Sequence, residues 1–227
     1  MTFHYHYGNS MPRIALIHAL SHSVEPINQA MARDWPEATR MNLLDDSLSA
    51  DLATSGRGLD QAMDKRFRDL ADYAVGTGAD AILFTCSAFG PCIEAVARHH
   101  ASIPVLKPNE AMIMDAANAP GPVGLISTFG PTLASMPPEF PASVALQCAL
   151  AEGALDALNR GDADSHDRLI VAQARHLQAA GCKTIALAQF SMARARGLCE
   201  DATGLRVLTT VDSAVTELKR RLSAKRN

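Results

Sequence analysis

Gly78-Ala79-Asp80-Ala81-Ile82-Leu83-Phe84-Thr85-Cys86 lies without a gap on Gly181-Cys182-Lys183-Thr184-Ile185-Ala186-Leu187-Ala188-Gln189 at an offset of 103 residues. Both segments read as a helix end marked by glycine, an apolar run of buried-strand length, and a polar turn. At a similar offset of 109, Ile14-Ala15-Leu16-Ile17-His18 falls on Val123-Gly124-Leu125-Ile126-Ser127, again a short apolar strand that closes on a polar side chain. Two pairs in the same order indicate a duplicated half. Chance similarity between buried strands is the competing explanation, because the identities are few.

Outward from these segments, apolar runs alternate with longer helical patterns, each bounded by Gly, Pro, Asp or Ser. Strands are expected near 13–17, 39–43, 80–85, 104–106, 122–127, 144–148, 184–188 and 206–209. Helices are expected near 24–33, 59–75, 91–99, 111–118, 152–159, 166–179, 192–198 and 213–223. This rhythm predicts an α/β fold with mainly parallel sheets covered by helices. The repeat divides it into a first domain of residues 12–107 plus 211–227 and a second of residues 108–210. Residues 1–11 read as a leader or flexible N-terminus. The Pro-rich stretch Met136-Pro137-Pro138-Glu139-Phe140-Pro141 reads as a connector rather than a lid.

Composition narrows the partners. The chain has 227 residues, 48% hydrophobic and 20% charged, with a formal net charge of -3. That suits a globular core and excludes a disordered tail. The basic residues are scattered, so no nucleic-acid footprint is present. No apolar run is long enough to cross a membrane, and the first residues lack the pattern of a secretory signal, which predicts a cytoplasmic location. Five cysteines, with no Cys-x-x-Cys pair, are expected to be reduced thiols rather than a metal set.

If the halves are related by a pseudo-twofold axis, the carboxyl ends of both sets of strands face one cleft, where open α/β sheets bind ligands. The polar strand ends are then the candidate site: His18 and Ser21, Cys86 and Ser87, Ser127 and Thr128, Gln189 and Ser191. Cys86 stands out because it joins a buried strand to a turn and a helix start, where orphan amides favour a thiolate. Cys92, Cys148, Cys182 and Cys199 read as packing residues. Asp45-Asp46-Ser47 reads as a solvated loop, Glu110 and the Asp162–Asp167 cluster as helix caps, and His99-His100 as a helix end.

Three segments, Leu83-Phe84-Thr85-Cys86-Ser87-Ala88-Phe89-Gly90, Val123-Gly124-Leu125-Ile126-Ser127-Thr128 and Leu187-Ala188-Gln189-Phe190-Ser191-Met192-Ala193, together resemble the aspartate/glutamate/hydantoin racemase superfamily. The resemblance covers essentially residues 13–222. It implies two pseudosymmetric Rossmann-like domains with an interdomain active-site cleft, a homodimer, a small carboxylate substrate, and chemistry with no metal or organic cofactor. Typical members place one cysteine from each half on opposite faces of a substrate carbon. The first falls on Cys86; the second falls on Gln189, which cannot shuttle a proton.

The resemblance therefore implies a racemase- or isomerase-like enzyme acting through one catalytic cysteine and an enolate-like intermediate. Ser87, Thr128, Gln189, Ser191 and the backbone amides of those turns are the natural donors to the developing charge, and His18 is a candidate for the missing second base. A decarboxylase that uses its single thiol as proton donor, and a carboxylate-binding protein that has lost the reaction, are the alternatives.

Overall fold

The computed structural model describes residues 11–226, so all but the last residue of the segment read as a leader lies outside the described residues. The first half runs β1 (Arg13–His18), α1 (Val24–Asp34), β2 (Thr39–Leu44), α2 (Ser47–Ser55), α3 (Gln61–Gly76), β3 (Ala81–Phe84), α4 (Gly90–His99), β4 (Val105–Leu106) and α5 (Glu110–Ala117). The second runs β5 (Val123–Ser127), α6 (Gly130–Ser135), β6 (Leu146–Leu150), α7 (Ala154–Asn159), α8 (Ala163–Ala179), β7 (Thr184–Leu187), α9 (Arg196–Thr203), β8 (Arg206–Thr209) and α10 (Thr210–Arg226).

Each half holds one four-stranded parallel sheet, ordered β2-β1-β3-β4 and β6-β5-β7-β8. The fold is thus α/β in two similar units. The duplication extends to the register. Ile14 pairs with Ala81 in the first sheet and Val123 with Thr184 in the second, so shifting the two partners by 109 and 103 converts one pair into the other. The caps repeat too: Asp60 accepts the Met63 amide at 2.9 Å to start α3, and Asp162 accepts the Ser165 amide at 3.0 Å to start α8. An N-cap carboxylate satisfies an otherwise orphaned helix donor.

Central strands are buried on both faces, as parallel sheets between helices must be. Ile14 and Leu16 face a cluster with α1 and α10, while Ala15 and Ile17 face one with α3 and α4. In the second half, Ile185 and Leu187 pack with α8 and α9, and Val123 and Leu125 pack with α5. The last helix of each half is exchanged: Met112, Ile113 and Ala116 of α5 cover the second sheet, whereas Val211, Ala214, Val215 and Leu218 of α10 cover the first. The two helices also pack on one another, which ties the halves together.

All eight expected strands overlap observed ones. Two helices, α2 and α6, were not among the expected elements, and the helix expected at 192–198 is instead a 3-10 turn, Phe190–Ala195, followed by α9. The Pro-rich stretch is anchored: Met136 and Phe140 are buried, and Glu139 accepts from Asn109 at 2.9 Å.

Candidate functional site

The carboxyl ends of β1, β3, β5 and β7 converge. The turn after β1 (Ser21–Ser23) touches the turn after β7, and α6, which follows β5, touches the turn after β3 (Ser87–Phe89). These are equivalent contacts under the repeat. His22 Nε2 reaches Asn159 Oδ1 across the halves at 3.0 Å.

Cys86 caps the Ser87–Phe89 turn and is half-buried, with Phe84, Phe67 and Leu48 behind it in a crevice too narrow for a water molecule. Phe67 stacks on Phe84 at 5.3 Å between ring centroids and packs tilted against Phe89 at 4.8 Å, a rigid floor beneath the thiol. Burial pushes the Cys86 thiol up, against the opposing pull of the Ala88 amide and the Ser49 hydroxyl. The orphan amide expected to favour a thiolate is therefore present, but desolvation wins and the resting group is S–H. Ser49 comes from α2, and its hydroxyl also lies 3.1 Å from the Ala19 carbonyl.

His18 points away from water. It is fully buried, with Nδ1 2.9 Å from Thr85 Oγ1 and Nε2 3.0 Å from Asn42 Oδ1. Asn42 Oδ1 accepts, so Nε2 carries the ring proton and Nδ1 accepts from Thr85. Burial lowers its pKa, against the hydrogen bond to Asn42, which raises it. Both nitrogens are committed, so His18 pins β1 to β2 and β3 rather than presenting a base.

Gln189 is held with unusual definition. Its Oε1 accepts from Thr128 N at 2.7 Å, Thr128 Oγ1 at 2.8 Å and Ser127 Oγ at 2.9 Å. The orientation follows from chemistry: a backbone N–H can only donate, so the atom facing Thr128 N must be the amide oxygen. The Nε2 group has no protein partner among the described residues. The single Ser127 Oγ proton is shared between Gln189 Oε1 and the Phe129 carbonyl, each 2.9 Å from Oγ, while Oγ accepts from the Phe129 amide at 3.0 Å. The strand-end hydroxyls of β5 are thus bound up in fixing Gln189. Ser87 and Ser191 are half-buried and Ser21 is exposed on the same turns.

The rim is apolar. Leu20 and Phe129, at an offset of 109, are both exposed, as are Leu44 and Leu150, which pair with His18 and Ser127 respectively. Arg66, Lys107 and Arg194 are already paired, Arg66 with Asp45 and Asp51, Lys107 with Glu94 and Glu139, and Arg194 with Asp167.

The remaining thiols divide. Burial pushes Cys92 and Cys199 up to about 12, and Cys182 is also buried. Cys148 departs from the expected packing role: it is exposed, because β6 is an edge strand with one uncovered side. In the acidic cluster, Asp162 caps α8 and Asp167 accepts from Arg194 at 2.9 Å and from His166 Nδ1 at 2.8 Å. Glu110 begins α5 and accepts from Arg221 at 2.6 Å. Sequence reasoning missed Ser49, Thr85 and Asn42, whose roles depend on pairings across strands and on α2.

Three solved structures illustrate the likeness. Glutamate racemase from Thermus thermophilus in complex with beta-chloro-D-alanine is 20% identical, with a TM-score of 0.71 over 96% of this chain and 83% of that one. Allantoin racemase from Pseudomonas fluorescens is 16% identical, with a TM-score of 0.70 over 94% and 92%. An aspartate racemase homologue from Pyrococcus horikoshii is 12% identical, with a TM-score of 0.72 over 94% and 100%. A search of curated protein sequences finds no match. The family description Asp/Glu/Hydantoin racemase, by contrast, matches residues 21–218, so the chain belongs to the Asp/Glu/hydantoin racemase family and is a racemase-type enzyme.

Proposed function

We propose that this protein is a cofactor-independent enzyme that converts a small carboxylate through an enolate-like intermediate, with Cys86 as its single proton-transfer group. The carrying observation is Gln189. Three donors hold its Oε1, so Nε2–H is a fixed donor where a second thiol would stand. A preorganised donor of this kind stabilises developing oxyanion charge and, without a lone pair to offer, cannot remove a proton.

The chemistry balances with one thiol. Loss of carbon dioxide from the α-carbon, or transfer of its proton to the small thiolate fraction of Cys86, leaves the electron pair in an enolate whose oxygen accepts from Gln189 Nε2. The Cys86 S–H then gives its proton to one face of that carbon, and the thiolate is reprotonated from solvent. The raised pKa of Cys86 keeps S–H as the resting form. This favours, among single-thiol reactions, those that begin without a thiolate; decarboxylation followed by protonation is the second reading on that ground. The non-reacting part of the substrate meets Leu20, Leu44, Phe129 and Leu150, which suits an apolar substituent. A homodimer, resting on family resemblance, and a cytoplasmic location complete the proposal; among the described residues no helix is long and apolar enough to cross a membrane.

The test is NMR of candidate amino, dicarboxylic and aryl-substituted acids in deuterated water. Deuterium is expected at one face of the α-carbon, and Cys86→Ala is expected to abolish it. Turnover that survives Cys86→Ala sinks the assignment of the thiol. Gln189→Cys is expected to allow exchange at both faces.

A further inference from the structure

Far from the strand ends, Asp72 on α3 and His99 and His100 at the end of α4 bring three ligand atoms within 4.8 Å of one another. His100 Nε2 lies 2.8 Å from Asp72 Oδ1, and His99 Nε2 lies 3.7 Å from the same oxygen. A tetrahedral zinc ion with ligands at about 2.0–2.1 Å separates them by about 3.3 Å, a value these two distances bracket. The rings meet edge to face with centroids 4.7 Å apart, so the two imidazoles converge on the carboxylate without stacking.

We propose that Asp72, His99 and His100 form a binding site for a divalent transition cation of the zinc class. The donor set, two imidazoles and one carboxylate, suits zinc, nickel or copper and not magnesium or calcium, which prefer oxygen ligands throughout. The His100 side chain is 13% exposed, whereas those of His99 and Asp72 are 57% and 53% exposed, so the set is open to an ion from solvent. The last carbonyls of α4 add the negative end of a helix dipole, which favours a cation. A solvent molecule completes the fourth position, and the ion clamps α3 to α4.

The set is not imposed by the duplicated framework. At the offset of 103, Asp72 falls on Arg175, and His99 and His100 fall on Ala202 and Thr203. It is an addition to one half. None of the three residues contributes to the strand-end site, so binding here and catalysis there are separable.

The experiment is a titration of the full chain with zinc against a chromophoric chelator, with the cobalt adduct recorded by absorption. One equivalent is expected to bind, with tetrahedral cobalt bands, and to raise the melting temperature by several degrees. His99→Ala/His100→Ala should weaken that equivalent at least tenfold and remove the shift, and Asp72→Asn should weaken it measurably. His4→Ala/His6→Ala and Cys148→Ser should leave it unchanged. Absence of binding by the wild-type chain, or an equivalent of unchanged affinity in the double histidine variant, overturns the proposal.

Discussion

Replacing Gln189 by Leu and by Glu separates its two roles. Leu removes the acceptor shared by Thr128 N, Thr128 Oγ1 and Ser127 Oγ. Ser127 retains the Phe129 carbonyl at 2.9 Å, but the Thr128 amide loses its acceptor beside a residue only 6% exposed. One buried donor left unsatisfied costs about 1–3 kcal/mol. For a chain of this size each kcal/mol moves the melting temperature by about 2–4 °C, so a fall of about 2–12 °C is expected. Glu restores an oxygen at the anchored position while replacing the outward N–H donor by an anionic acceptor. Its melting temperature at neutral pH should therefore stay close to that of the wild type. Activity separates differently: both variants lose the proposed oxyanion donor and should fall about 10²–10³-fold in turnover. Scanning calorimetry and deuterium incorporation read the two quantities independently. A fully active Gln189→Glu refutes the donor role, and an unshifted melting temperature in Gln189→Leu refutes the anchoring.

Iodoacetamide should label Cys86 and Cys148 in the native chain and all five cysteines after denaturation, as counted by mass spectrometry. Because burial raises the Cys86 pKa, its labelling rate should still be climbing above pH 9; a plateau near neutrality contradicts a protonated resting thiol. His18 titrates lower in the folded state than in the unfolded chain, so it contributes stability above about pH 6.5 that is lost as the pH falls toward its folded value. His18→Gln should flatten the loss of stability between pH 7.5 and 5.5, by at most about 1.4 kcal/mol per pH unit; an unchanged slope in chemical denaturation contradicts a buried neutral imidazole. Gly124→Ala sets a Cβ 2.8 Å from Leu177 Cδ1 and 3.1 Å from Ile185 Cδ1 in the second core. Overpacking there should cost about 1–3 kcal/mol, and an unaltered denaturation midpoint would show that Leu177 moves aside freely.

The strands were legible because each is an apolar run with clear punctuation, and the offsets of 103 and 109 carried their register as well as their existence. α2 was not: Ser47-Leu48-Ser49-Ala50-Asp51-Leu52-Ala53-Thr54-Ser55 is rich in residues that compete with the helix backbone, and it meets the core through Leu48, which is buried, and Leu52, which is partly buried. With α2 hidden, the Ser49 hydroxyl beside Cys86 was hidden too. α6 opens on Gly130-Pro131, a pair that reads as a turn.

His18 and Ser127 show where a strand end stops being informative. They occupy equivalent positions, yet His18 closes a buried network with Thr85 and Asn42, while Ser127 helps to orient Gln189. Both faces of β1 are buried, so alternation could not tell an inward polar residue from one facing the cleft. The two halves have thus used the same strand-end layer for different ends. In the first, the layer locks the β-strands behind a thiol floored by Phe67, Phe84 and Phe89. In the second, it locks an amide. A twofold arrangement of strands thus carries a thiol on one side and a fixed N–H on the other. Under the proposed chemistry that difference makes one-sided proton delivery the expected outcome, whichever bond breaks first.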